Sequence, residues 1–316
     1  MGHLAYIVDT SVERRQTAQW EYPSVRVTES IEEMLDSDVD AVVVATPIHT
    51  HYPLAQRALE RGKHVLVEKP LADSAKHAEA LAILAKQQGL VLMVGHTFMY
   101  NAAVEELRRL VQSGSLGRVY YVDATRANLG LFHNDINVIW DLAPHDLSIL
   151  GYIFDLNPVR VSAHGGAFVR QPTHDVVQLT LEYPNGVLAL LHLSWLSPSK
   201  IRRFTIVGDR KMVVYDDVEA TEKIRVYNRG IDAPDHTSTF GEFQLSYRYG
   251  DIVSPYLHWS EPLAVECSHF AAAIAEGRSP RSDARDGARI VRILEAADAS
   301  LRADGAFIEI EEEFSA

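Results

Sequence analysis

Four short apolar runs punctuate the first hundred residues, at 4–8, 39–45, 64–67 and 90–94. Stretches with helical periodicity lie between them, joined by short links. Thr10 with Glu13, and Ser30 with Glu33, have capping-box spacing, which predicts a helix after the first run and another before the second. Gly62 and Gly89 follow the helical stretches 52–61 and 74–88 as C-terminal stops. Parallel neighbours need a crossover between them, so strands alternating with helices imply a parallel sheet with right-handed connections. The opening of the chain is thereby restricted to an open α/β sheet.

The pattern changes after Gly95. A helix is expected over 102–112, a strand over 118–126 and an irregular stretch over 127–137. Pro144 is tolerated only in a first turn, so the next helix is expected to start near it and run to 154. Val177, Leu179 and Leu181 alternate with polar residues, a strand with one wet face. Asn185-Gly186 signals a hairpin into 187–195. Further strands are expected at 201–207, 212–215 and 223–227, a loop over 229–260, helices at 263–276 and 284–302, and an edge strand at 307–310. The expected plan is a Rossmann-like parallel domain over 1–97, then an α+β domain with a large, mostly antiparallel open sheet over 98–316.

A net charge of −13 argues against nucleic-acid binding, which needs cations to displace counterions. A single cysteine, Cys267, excludes an intrachain disulfide framework and suits a reducing cytoplasm. The first residues lack a signal-peptide pattern, and no apolar run is long enough to span a membrane.

Ligands of open α/β sheets sit beyond the carboxyl ends of the strands. The run at 64–67 ends there in Glu68-Lys69-Pro70, so these charges stand at the lip of a cleft; a solvated surface turn is the alternative. Asp9 ends the first strand of this chain; in dinucleotide folds an acidic residue at the end of the second strand takes the adenosine ribose hydroxyls and favours NAD over NADP, and the alternative is a helix cap. Asp141 and His145 lie four apart, which puts both on one face if the helix reaches back that far. They then read either as an oriented general base or as a cap beside a packed ring. His49, His51 and His96 lie at strand ends, with no spacing that supports a metal site. Arg126, Asn128, Lys200, Arg202 and Arg203 are candidate anion contacts or solvated surface. Nothing near the start reads G-x-G-x-x-G, so a Rossmann unit here begins at its second strand, without the first βα unit and its phosphate loop.

Taken together, Ala45-Thr46-Pro47 with His49 and His51, Gly62-Lys63-His64-Val65 into Glu68-Lys69-Pro70, Val94-Gly95-His96, Gly114-Ser115-Leu116-Gly117 and Asp141 with His145-Asp146 resemble the glucose–fructose oxidoreductase / inositol dehydrogenase / MocA family. The late stretch Glu261-Pro262-Leu263 with Glu266 and His269-Phe270 looks like its sugar-biosynthesis branch. The resemblance implies hydride transfer between NAD and a secondary alcohol of a sugar or nucleotide-sugar. It implies that Lys69 hydrogen-bonds the reacting hydroxyl, His145 exchanges its proton and Asp141 orients the substrate. Thr46, Pro47, His49 and Glu68 match positions near the cofactor ribose and nicotinamide, and His51 and His96 are placed with them. A homodimer or homotetramer through the open sheet is expected. A non-catalytic sugar-binding or scaffolding homologue is the competing expectation, because the phosphate loop is missing.

Overall fold

The computed structural model describes residues 2–130, 132–133, 135–232 and 246–311. They fall into two units: the described residues of Met1–His96 with Leu263–Val291, and those of Thr97–Pro262 with Arg292–Ser315.

The first unit opens with strand β1 (Tyr6–Val8), helix α1 (Val12–Glu21), β2 (Arg26–Thr28) and α2 (Ile31–Leu35). Then come β3 (Ala41–Val44), α3 (His51–Glu60), β4 (His64–Glu68), α4 (Ala75–Gln88) and β5 (Leu92–Gly95). Ser11, not Thr10, caps α1, its side chain accepting from Arg14 N–H. Ser30 and Ser74 cap α2 and α4 in the same way, and Gly89 ends α4 in the left-handed conformation. Strand β2 escapes a sequence reading because Arg-Val-Thr is too short to show a period.

All pairings in this unit's two sheets are parallel: β1 with β2, and β3-β4-β5 in that order. The dinucleotide-binding order is 3-2-1-4-5-6, and removing its strand 1 leaves a pair and a triplet. That is the division seen here, and among the described residues no strand joins β1 to β3. One face of the triplet records the consequence. Met93, Leu66 and Val43 lie side by side across it, at 0%, 5% and 60% exposure. Along the edge of β5 away from β4, Val94 N–H donates to Ser282 C=O at 2.9 Å, and Ser282 Oγ donates to Val94 C=O at 2.7 Å. The opposite face, with Val42, Val44 and Val94, is buried, and on it a Cβ on Gly287 would lie 2.6 Å from the Val94 side chain, so only glycine permits this approach.

The second unit contains α5 (Ala102–Gln112), β6 (Val119–Leu129), α6 (Val138–Phe154), β7 (Arg160–Gly166), β8 (Val176–Glu182), β9 (Leu188–Ser194) and β10 (Leu196–Gly208). It continues with β11 (Met212–Asp216), β12 (Ile224–Asp232) and β13 (Ser246–Val253). Helix α7 (Pro262–Glu276) then belongs to the first unit, α8 (Ala284–Arg302) starts there and ends in the second, and β14 (Ile308–Glu309) closes the edge of the large sheet. Residues 263–291 thus group with the parallel sheets, whereas the sequence pattern alone assigns them to the second domain.

Nine strands run in the order β13-β12-β11-β10-β6-β9-β8-β7-β14, antiparallel except for β6 with β9. Val177, Leu179, Leu181, Leu191 and Leu193 are fully buried on one face, and their polar neighbours point the other way. Two expectations are corrected. Residues 246–253 form a strand rather than a loop; its Tyr and Ile side chains are exposed, so the stretch reads as polar and irregular. Residues 229–232 of the expected loop are likewise strand, the end of β12, 254–260 are neither helix nor strand, and 233–245 lie outside the described residues, as do 131 and 134 of the expected irregular stretch. Helix α6 starts at Val138, not near Pro144, which sits inside it. Asn137 makes this possible: its side chain accepts from Ile139 and Trp140 N–H, an N-cap seven residues ahead of the proline.

Candidate active site

In the first unit, three strand ends meet. Thr46, Pro47 and His49 leave β3 on an exposed turn. His51, buried at the start of α3, holds that turn to the loop after β4: its Nδ1 lies 2.9 Å from Pro70 C=O and its Nε2 2.7 Å from Thr46 C=O. Both ring nitrogens are taken, so His51 acts here as a bridge between the loops. Glu68 ends β4 and half-buried Lys69 follows it, with the Lys69-Pro70 bond cis. Glu68 Oε2 accepts from Lys69 N–H at 3.2 Å, and Gly95 lies opposite Glu68 on β5. A Cβ on Gly95 would come within 3.2 Å of the same carboxylate oxygen.

His96 follows and is buried, with neither ring nitrogen hydrogen-bonded among the described residues. Burial, and then the charge of Lys69, hold its pKa down to about 3, so the ring is neutral at physiological pH. Asp9 lies at the end of β1. Its Oδ1 accepts from Ser11 N–H at 2.7 Å and its Oδ2 faces Arg14 at 3.5 Å, so the carboxylate organises the start of α1.

These residues fit one end of a dinucleotide. Exposed Thr46 and His49, Lys69 and the orphaned nitrogens of His96 offer polar partners where a ribose and nicotinamide would lie. The pyrophosphate end is different: among the described residues no glycine-rich turn leads from a strand into a helix N-terminus.

In the second unit, Asp141 and His145 share one face of α6, as their spacing requires once the helix extends back to Val138. Asp141 Oδ2 accepts from the indole Nε1 of fully buried Trp195 at 2.9 Å. His145 sets its ring edge-on to Phe98, centroids 5.3 Å apart. Trp195 and Phe98 carry no sequence signal of their own; both read as ordinary core aromatics. Beside them Arg126 donates through Nε and Nη2 to Asp146 Oδ1, at 2.8 and 2.5 Å, in a buried ion pair. Burial pushes the Asp146 carboxyl upward, against the pull of Arg126 and Arg202. Arg203, by contrast, is exposed and paired with Asp216 at 2.7 Å. Among the described residues no His/Cys/Asp/Glu group is arranged to hold a metal ion, and no helix is long and apolar enough to cross a membrane.

The two units together define a class, an oxidoreductase with an NAD(P)-binding Rossmann domain and an open-sheet domain. A family model described as "Oxidoreductase family, NAD-binding Rossmann fold" matches residues 2–96, and "GFO/IDH/MocA C-terminal domain" matches 104–214. The chain belongs to the GFO/IDH/MocA family of oxidoreductases. It is similar to a UDP-N-acetylglucosamine 3-dehydrogenase of Acidithiobacillus ferrooxidans, with 32% identity covering 73% of this chain and 71% of that one. A solved structure of that enzyme superposes with a TM-score of 0.78 at 29% identity, covering 95% of this chain and 90% of the other. A scyllo-inositol 2-dehydrogenase (NADP(+)) of Bacillus subtilis is 25% identical over 90% of this chain and 83% of its own length.

Proposed function

We propose that this chain transfers hydride between a nicotinamide dinucleotide and a secondary alcohol carbon of a sugar or nucleotide-sugar, with Lys69, Asp141 and His145 as the working side chains. The observation that carries the reading is the pair on α6. A carboxylate fastened to a buried indole, with an imidazole one turn on, supports the reading of an acid–base set. The relatives act on amino-sugar nucleotides and cyclitols by name, which supports the substrate class.

A nicotinamide dinucleotide held near Thr46, His49, Lys69 and His96 would supply the hydride acceptor in the oxidising direction. The protein's share is the proton and the developing charge. His145 takes the hydroxyl proton as hydride departs, the imidazole serving as general base. The Lys69 ammonium stabilises the forming alkoxide, an effect worth most away from bulk water. Asp141, held by Trp195, fixes the substrate's orientation. Asp9 favours NAD over NADP by repelling a 2′-phosphate. An open sheet suits a homodimer or homotetramer, and the single cysteine suits the cytoplasm.

The test is turnover of Lys69→Ala and His145→Ala against the parent, with UDP-sugars and inositols as substrates. Each substitution is expected to lower kcat by at least about a hundredfold, the usual worth of an acid–base group. Parental turnover in both variants rejects the assignment. The second reading, a sugar binder without catalysis, draws support from the divided parallel sheet. NADH titration of the 316-residue chain followed by fluorescence separates the two: tight binding rules the binder out.

A further inference from the structure

Arg126 on β6 and Arg202 on β10 are directly opposed in the ladder. Both lie on the face that buries Val122, Ala124, Phe204 and Ile206. Like charges placed directly across a pair of strands repel, and more so beside a core. Each guanidinium also faces the ring of Phe98, Arg126 at 4.7 Å and Arg202 at 6.0 Å from its centroid. Among the described residues, carboxylates cover the two cations only in part. Arg126 uses one oxygen of Asp146, leaving its own Nη1 and Asp146 Oδ2 without partners among the described residues. Arg202 reaches Asp217 at a long 3.4 Å, and Asp217 also receives Tyr215 OH at 3.0 Å and faces Lys223 at 4.0 Å. Three cations therefore share two carboxylates, and Arg202 is the cation left half-exposed, with 36% of its side chain accessible.

The same Phe98 carries the edge contact of His145. A positive subsite and the proposed proton-transfer ring thus flank one aromatic spacer. We propose that Arg202, with buried Arg126 beside it and the Phe98 ring against both, binds an oxyanion carried by the substrate, a sugar carboxylate or a phosphate. The planar fork of arginine pairs bidentately with both groups, and the charge it offers is the one the local carboxylates do not cancel. The inference deepens the sugar-dehydrogenase reading and rests on it for the word substrate; the anion preference itself is measured without turnover.

The experiment is calorimetric titration of the 316-residue chain with glucuronate against glucose, and with UDP-N-acetylglucosamine against N-acetylglucosamine. At least one anionic ligand is expected to bind about tenfold or more tighter than its neutral counterpart, the usual effect of one charge-assisted contact. The pair that shows the difference identifies the source, carboxylate or diphosphate. Arg202→Gln is expected to erase the difference and Arg202→Lys to restore only part of it, while Arg203→Gln, on the exposed side and paired with Asp216, leaves it intact. Equal affinity for charged and neutral ligands in the parent, or a preference unchanged in Arg202→Gln, overturns the proposal. Normal turnover in the Lys69 and His145 variants would instead sink the dehydrogenase reading and leave the anion preference standing.

Discussion

His96 shows what one residue contributes here. Its pKa is about 3 in the folded chain and 6.5 when free, so the unfolded state binds the extra proton between those values. A lowered folded pKa gives stability that is complete above the free value and is lost as pH falls from 6.5 toward 3. The linkage amounts to a few kcal/mol over that window. Denaturant midpoints measured from pH 7 to 4 are expected to drop more steeply in the parent than in His96→Leu or His96→Gln. His64 and His269, whose pKa values are also lowered chiefly by burial, add to the slope of every variant and cancel in the comparison. Equal slopes would mean that the ring is not held neutral. The strand-end position of His96 was readable in the sequence; its isolation from hydrogen-bond partners was not, because that depends on residues far along the chain.

Among the elements, α6 depends on a side chain from far along the chain. Asp298 of α8 accepts from Asn137 Nδ2 at 2.8 Å through one oxygen and from the Trp140 indole at 2.7 Å through the other. Asn137 in turn caps the helix that carries Asp141 and His145. Asp298→Ala is expected to cost about 2–4 kcal/mol, from a loosened cap and an unpartnered indole N–H. Asp298→Asn keeps an acceptor and is expected to cost clearly less. Urea melts of the three proteins decide it, and equal stability of the Ala and parent chains would refute the dependence. This long-range support explains why the sequence rule for Pro144 failed. A proline in a helix interior removes one hydrogen bond, and a firmly capped, buried helix absorbs the loss. Periodic elements such as α5, β8 and β9 were legible because their burial follows their own spacing. Strands β2 and β13 were not, the first being three residues long and the second exposed along nearly its whole length.

At the scale of the whole molecule the divided parallel sheet dominates. Among the described residues, strand β3 pairs with β4 alone and β1 with β2 alone, so each presents an open edge. Val43 is exposed beside one of these edges, while Leu4 and Trp20 expose further apolar surface in the same unit. Open edges and bare apolar faces promote association between chains. The alternation of strands and helices was legible in the spacing of the apolar runs; where the parallel strands divide into two sheets was not, because a sequence pattern alone does not specify strand order. A further parallel strand with a turn and helix would cover both open edges. Fusing a designed strand–G-x-G-x-x-G–helix segment ahead of Met1 is expected to tighten NADH binding by at least about tenfold, because the turn brings backbone N–H groups and a helix N-terminus to the pyrophosphate. The same fusion is expected to reduce concentration-dependent association seen by light scattering, and Val43→Lys alone should reduce association without improving NADH affinity. Should the 316-residue chain bind NADH as tightly as the fusion and remain dispersed at high concentration, the open edges would have no role in either property.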